Sequence, residues 1–174
     1  MVMNEGGAAG RIRLGWGLIR GLAYLHEHKI AHRDINPNNL VRNHIFNFKI
    51  LDFDLAIKVE DENIETFGFL GTEGRTAPEV GKQGGLLTLY SPIKADRWSC
   101  GCVILRHIMI GSTVINADRH LLNFANQLLM EDPQQQPSLL QVGSHVGVSR
   151  PQQHLLNVDG ESMELLDAKR LRLE

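Results

Sequence analysis

The stretch "HRDINPNNL", residues 32–40, sets an arginine, an aspartate and three asparagines between two apolar segments. Asp34 offers a proton acceptor and Asn39 an oxygen ligand for a hard cation, and Pro37 stiffens the turn between them. Upstream, "RIRLGWGLIRGLAYLHEH" (11–28) places Ile12, Trp16, Ile19, Leu22, Ala23 and Leu25 mostly three or four residues apart. That spacing predicts an amphipathic helix running straight into the loop. Downstream, "NLVRN" (39–43) and "FNFKILDFDLAI" (46–57) are short apolar pieces split by the turn-prone "NHIFN" (43–47). They read as a hairpin with one end at Asp52, bringing a second carboxylate toward the first loop.

Further out the pattern changes. Residues 57–79 hold no period and are rich in Gly, Thr and acids, which predicts a long ordered or semi-ordered loop. "KADRWSCGCVILRHIMIG" (94–111) is the most apolar helix candidate, and Arg106 and His107 interrupt it, so it suits a buried core helix better than a membrane span. "HLLNFANQLLMEDPQQQPSLLQV" (120–142) predicts a helix stopped near Asp132-Pro133 and a short helix opening around Pro137-Ser138. Residues 1–10 read as a flexible Gly-rich start. Residues 143–174 read as a weakly ordered or partly helical tail ending in "MELLDAKRLRLE". There is no internal repeat.

With 174 residues, 43% hydrophobic and 22% charged, the chain suffices for one domain with a sizeable core. A net charge of −2 and a pI near 6.4 give no whole-chain electrostatic case for nucleic acid or an anionic membrane. Cys100 and Cys102 lie inside the apolar run, the setting of buried reduced thiols rather than of a disulfide scaffold or zinc site. No secretory signal opens the chain, and no window reaches the ~18–20 uninterrupted apolar residues of a spanning helix. A cytoplasmic or otherwise intracellular protein is expected.

Four motifs fall in one order: "HRDINPNN" (32–39), "DFD" (52–54), "APE" (77–79) and "KADRWSCG" (94–101). Asn39 follows Asp34 by five residues and Asp52 follows it by eighteen. In letters and spacing, residues 11–142 resemble the C-terminal lobe of eukaryotic-type protein kinases, and look closest to divergent fungal kinase-like proteins. The resemblance implies a mainly α fold with a small β-hairpin, a protein-kinase-like C-terminal lobe (α+β) with the N-terminal lobe absent. It also implies a serine/threonine-type enzyme transferring phosphate from ATP to protein. By the same resemblance Asp34 accepts the substrate proton, Asn39 and Asp52 hold Mg2+ against the ATP phosphates, and Asp96 accepts backbone hydrogen bonds from the catalytic loop. His32 packs and bonds that loop, so neither it nor His26 and His28 is a metal ligand. The implied partner is a protein substrate or protein partner, with no nucleic acid, no membrane and an undefined oligomeric state.

Departures from the family pattern carry their own expectations. No Gly-rich phosphate loop and strand lysine precede Arg11, so catalysis by this lobe alone is not expected. The alternatives are a non-catalytic pseudokinase binding module and, ranked below it because of "APE" and "KADRWSCG", a small-molecule kinase. Asn36 stands where serine/threonine kinases carry a lysine, and Asp54 stands where the family has a glycine. Asp54 is a metal ligand or a solvated turn residue. Arg75 replaces a tyrosine that commonly lines the peptide-binding segment, and the short span 112–127 implies a missing helix. Glu79 lacks its family arginine, Gln136 standing there instead, so it is less deeply buried or bonds backbone amides and the Gln136 amide. Glu60, Asp61 and Glu62 are expected to dock on Arg33 and Lys58, ordering the loop without phosphorylation.

Overall fold

Spacing of apolar residues along 11–28 produces a single helix, α1 (Gly7–Glu27), which begins four residues before Arg11. The computed structural model describes residues 7–42, 48–71, 74–81, 88–109 and 119–144. On α1, Trp16, Ile19, Leu22 and Leu25 are buried as the spacing predicts, and Ile12 and Ala23 are half-buried. Leu14 and Leu18 are buried as well. The face is wider than one stripe because α1 packs against both a strand hairpin and the two later helices.

The second helix, α2 (Pro92–Val103), starts where the Ser91 hydroxyl accepts the Lys94 N–H at 3.2 Å, with Pro92 in the first turn. Its end widens into a π-turn over Ile104–Ile108, closed by the Met109 N–H on the Ile104 carbonyl at 2.9 Å. Nearly every residue of α2 is buried, including Lys94, Asp96 and Arg97. A helix covered on all sides is what the apolar run 94–111 predicts. The third helix, α3 (Arg119–Gln127), crosses it so closely that a Cβ on Gly101 would lie 2.9 Å from the Ala125 carbonyl oxygen. Helix α3 stops at Gln127, short of the expected Asp132. Asp132 instead caps a separate 3₁₀ turn, Pro133–Gln135, accepting the Gln134 N–H at 2.9 Å. A second 3₁₀ stretch, Leu139–Ser144, opens just after Pro137-Ser138.

Among the described residues, six strands form three antiparallel pairs. β2 (Leu40–Arg42) and β3 (Phe48–Ile50) make the expected hairpin, with Leu40 opposite Ile50. Its 43–47 turn lies outside the described residues. β1 (Ile30–Ala31) pairs with β4 (Ile57–Lys58), and β5 (Thr66–Phe67) with β6 (Leu89–Tyr90). Within the long loop expected over 57–79, β4 and β5 are short strands. Two-residue strands are too short to write an alternation into the sequence.

Cys100 and Cys102 are buried free thiols. Burial, reinforced by Asp96 and Cys102, pushes the Cys100 thiol far up, so it is inert. The chain divides into two units, Met1–Gly143 and Ser144–Glu174. Residues 1–6 and the tail beyond Ser144 lie outside the described residues. So do residues 110–118, which include the first part of the 112–127 span whose shortness implies a missing helix. Among the described residues no helix is long and apolar enough to cross a membrane.

Candidate active site

The loop leaving β1 is shaped by a carboxylate far along the chain. Asp96 of α2, 1% exposed, accepts the His32 N–H at 2.6 Å on Oδ2 and the Arg33 N–H at 2.7 Å on Oδ1. These bonds hold Arg33 at φ +66°, a left-handed conformation that costs a non-glycine residue roughly 1–2 kcal/mol. His32 is fully buried, and its ring joins two parts of the site. Nδ1 accepts the Asp34 N–H at 3.3 Å and Nε2 lies 3.0 Å from the Leu51 carbonyl, so the proton sits on Nε2 of a neutral ring. Phe53 packs edge-on to that ring with centroids 5.0 Å apart. The expected supporting roles of Asp96 and His32 are therefore present as contacts.

Asp34 and Asn39 meet directly. The Asn39 amide Nδ2 donates to both the Asp34 carbonyl and Asp34 Oδ2, each at 2.9 Å. With its donors turned to Asp34, Asn39 is left with Oδ1 as the atom to offer a cation. Asp52 arrives from β3: the Leu51 N–H bonds the Asn39 carbonyl at 2.8 Å, and Asp52 follows at φ +62° with its side chain exposed. Strain sits at Asp52, not at Asp54. Among the described non-glycine residues, only Lys29, Arg33 and Asp52 have positive φ. Asp54 is exposed, and its N–H is 3.4 Å from Asp52 Oδ1.

Asn36 takes a structural post. Its Oδ1 caps the 3₁₀ turn Pro37–Asn39 through the Asn38 N–H at 2.9 Å, and its Nδ2 donates to the Asp34 carbonyl at 3.2 Å. Both ends of the amide serve the loop backbone.

The acidic run docks elsewhere than expected. Glu62 pairs with Arg97 of α2, and its carbonyl accepts the Ser91 hydroxyl at 2.6 Å. Lys94, also buried, donates to Asn63 Oδ1 at 3.1 Å and Gln134 Oε1 at 2.8 Å. Arg33 turns its Nε to the Leu55 carbonyl at 2.6 Å, while Lys58, Glu60 and Asp61 are exposed. A buried cation needs a partner more than an exposed one does, and among the described residues the fully buried Lys and Arg side chains, Lys94 and Arg97, lie on α2. Sequence reasoning passed over Lys94 and Arg97. Their signal was two cations flanking Asp96 within a helix that had to be covered on every side.

Glu79 is half-buried, and it does not bond Gln136. Both carboxylate oxygens lack a hydrogen-bond partner among the described residues. Gln136 gives Nε2 to the Met130 carbonyl at 3.3 Å, and its Oε1 is also unpaired. Burial pushes the Glu79 carboxyl above the usual range. A carboxyl raised in the folded state contributes stability that is complete below its unfolded pKa and lost as pH rises through the folded value. Glu79→Gln should therefore stabilise the chain by about 1 kcal/mol at about pH 7.5 and by nearly nothing at about pH 4. Urea unfolding at the two pH values measures this, and an equal effect at both would refute it.

The protein kinase domain family model matches residues 11–136. The chain belongs to the protein kinase domain family. It is 30% identical over 115 residues to the serine/threonine-protein kinase PLK4 of Xenopus laevis, covering 66% of this chain and 11% of that protein. It is 34% identical over 108 residues to the mitogen-activated protein kinase pmk-1 of Caenorhabditis elegans (62% and 26%). It is 35% identical over 127 residues to the proline-rich receptor-like protein kinase PERK2 of Arabidopsis thaliana (68% and 17%). The matched segment thus spans about a tenth to a quarter of these relatives' lengths. In this kinase domain, Asp34, Asn39 and Asp52 occupy one loop-and-hairpin unit, fastened to α2 through Asp96.

Proposed function

We propose that residues 11–142 form the C-terminal lobe of a serine/threonine-type protein kinase. In this reading Asp34 receives the proton of a protein hydroxyl, while Asn39 Oδ1 and the Asp52 carboxylate hold Mg2+ for ATP. The observation that carries the reading is the Asn39 amide. It fixes the Asp34 backbone and carboxylate together, and the Asn39 backbone carbonyl secures the residue before Asp52.

The donor set fits a hard cation: one amide oxygen and one exposed carboxylate on adjoining backbone. Among the described residues no group of three or more His, Cys, Asp or Glu could hold a metal, so water and phosphate oxygens would complete the shell. When bound, Mg2+ neutralises charge on the phosphates. The protein's own part is positional. Asp34 is oriented through Oδ2, and its backbone is held by Asn36, Asn39 and His32, which keeps a substrate hydroxyl within reach of the acceptor.

Among the described residues no Gly-rich loop leads into a strand lysine, so the chain alone should grip nucleotide weakly. Calorimetric titration with Mg·ADP is expected to give a Kd weaker than about 0.1 mM, strictly metal-dependent and weakened about tenfold or more by Asp52→Asn. Metal-independent binding, or binding indifferent to Asp52→Asn, would overturn the assignment. A second reading, a non-catalytic binding module, is favoured by Asn36, which is committed to the loop backbone where the family supplies a cation.

A further inference from the structure

Outside this site, the widened end of α2 gathers positive charge that no acid balances among the described residues. Arg106 Nη1 donates to the Gly74 carbonyl at 2.8 Å, and Ser99 Oγ donates to the Arg75 carbonyl at 3.1 Å. Arg75 Nε in turn lies 3.4 Å from His107 Nε2. The segment just before Ala77-Pro78-Glu79 is thus fastened at two carbonyls and one side chain onto α2 and its π-turn. Widened turns of this kind often occur at functional sites.

His107 accepts from Arg75, so its ring is neutral. Burial, then the charges of Arg75 and Arg106, hold the imidazole below its usual range. Each guanidinium uses one N–H in a described hydrogen bond, and its remaining donors have no partner among the described residues. Neither arginine forms an ion pair with a carboxylate among the described residues.

We propose that Arg75, Arg106 and His107 form a subsite for one anionic side chain, a carboxylate or a phosphate, of a peptide that binds this domain. The proposal rests on the protein-kinase reading for the identity of the ligand as a peptide. Two guanidinium forks suit planar carboxylate and phosphate oxygens, and the neutral imidazole adds its Nδ1–H as a further donor. An extended polyanion is disfavoured. Glu60, Asp61 and Glu65 are exposed on the same 57–79 segment, and the chain carries a net charge of −2.

The test is fluorescence anisotropy on the full chain without nucleotide, so a failure of metal or ATP binding leaves the result readable. Labelled serine peptides differ only in one flanking residue: alanine, aspartate, phosphoserine or lysine. The aspartate or phosphoserine peptide is expected to bind about tenfold tighter than the alanine peptide. Arg106→Glu should erase that advantage and favour the lysine peptide. Arg106→Gln should give an intermediate loss, with thermal unfolding run on each variant as the folding control. Tighter binding of phosphoserine than of aspartate identifies phosphate as the ligand, and equal binding identifies any acidic side chain. Equal affinity for alanine and acidic peptides overturns the proposal. So does an acidic preference unchanged in the Arg106 variants, or an oligonucleotide of matched charge binding as tightly as the phosphopeptide.

Discussion

Replacing Asp96 with alanine is expected to cost about 3–5 kcal/mol, enough to unfold much of the population of a domain of ordinary stability. The side chain is 1% exposed and accepts two backbone N–H bonds at 2.6 and 2.7 Å, with His26 Nε2 at 3.4 Å. Alanine would leave buried donors without an acceptor, each a penalty of about 1–3 kcal/mol. It would also release Arg33 from φ +66°, so the loop would relax even where the helices still pack. Asparagine keeps the shape and one acceptor, so Asp96→Asn should lose about half as much. Urea unfolding followed by circular dichroism measures both, and a loss below about 1 kcal/mol for alanine would contradict this account.

Glu62→Lys comes second in size, with an expected loss of about 2 kcal/mol. Arg97 is 3% exposed whereas Glu62 is 46% exposed, so water can reach one end of the pair, and the cost falls below that of a fully buried break. Reversing the charge leaves a buried guanidinium facing a second cation. The loop should then part from α2, because the Glu62 carbonyl bond to Ser91 and the Asn63 bond to Lys94 depend on the same approach. Limited proteolysis reads this out as new cleavage within residues 59–66. A variant as resistant as the parent would show that these bonds hold the loop without the ion pair.

The hairpin, the loop at residues 32–40 and the buried helix were legible because each is written locally. Leu40 to Arg42 and Phe48 to Ile50 carry strand-forming residues about a turn, and residues 94–111 form one long apolar run. Asp34 and Asn39 could be placed together because five residues and one proline separate them. What escaped was tertiary. Nothing near Arg33 or Asp52 announces a positive φ, since neither is glycine and the conformation is imposed by Asp96 and by the Asn39 carbonyl. The destination of Glu62 was misjudged because charge alone made Arg33 and Lys58 as attractive as Arg97, and burial decided between them. Arg106 and His107 were read as interruptions in an apolar helix, although their register on the widened turn sets them beside Arg75.

The Asp96 carboxylate grips amides 64 and 63 positions earlier. A graft of residues 30–57 into another scaffold would carry both the 32–39 and the 52–54 motifs and still lack the anchor that bends Arg33. Engineers borrowing this loop would have to transplant a helix segment along with it.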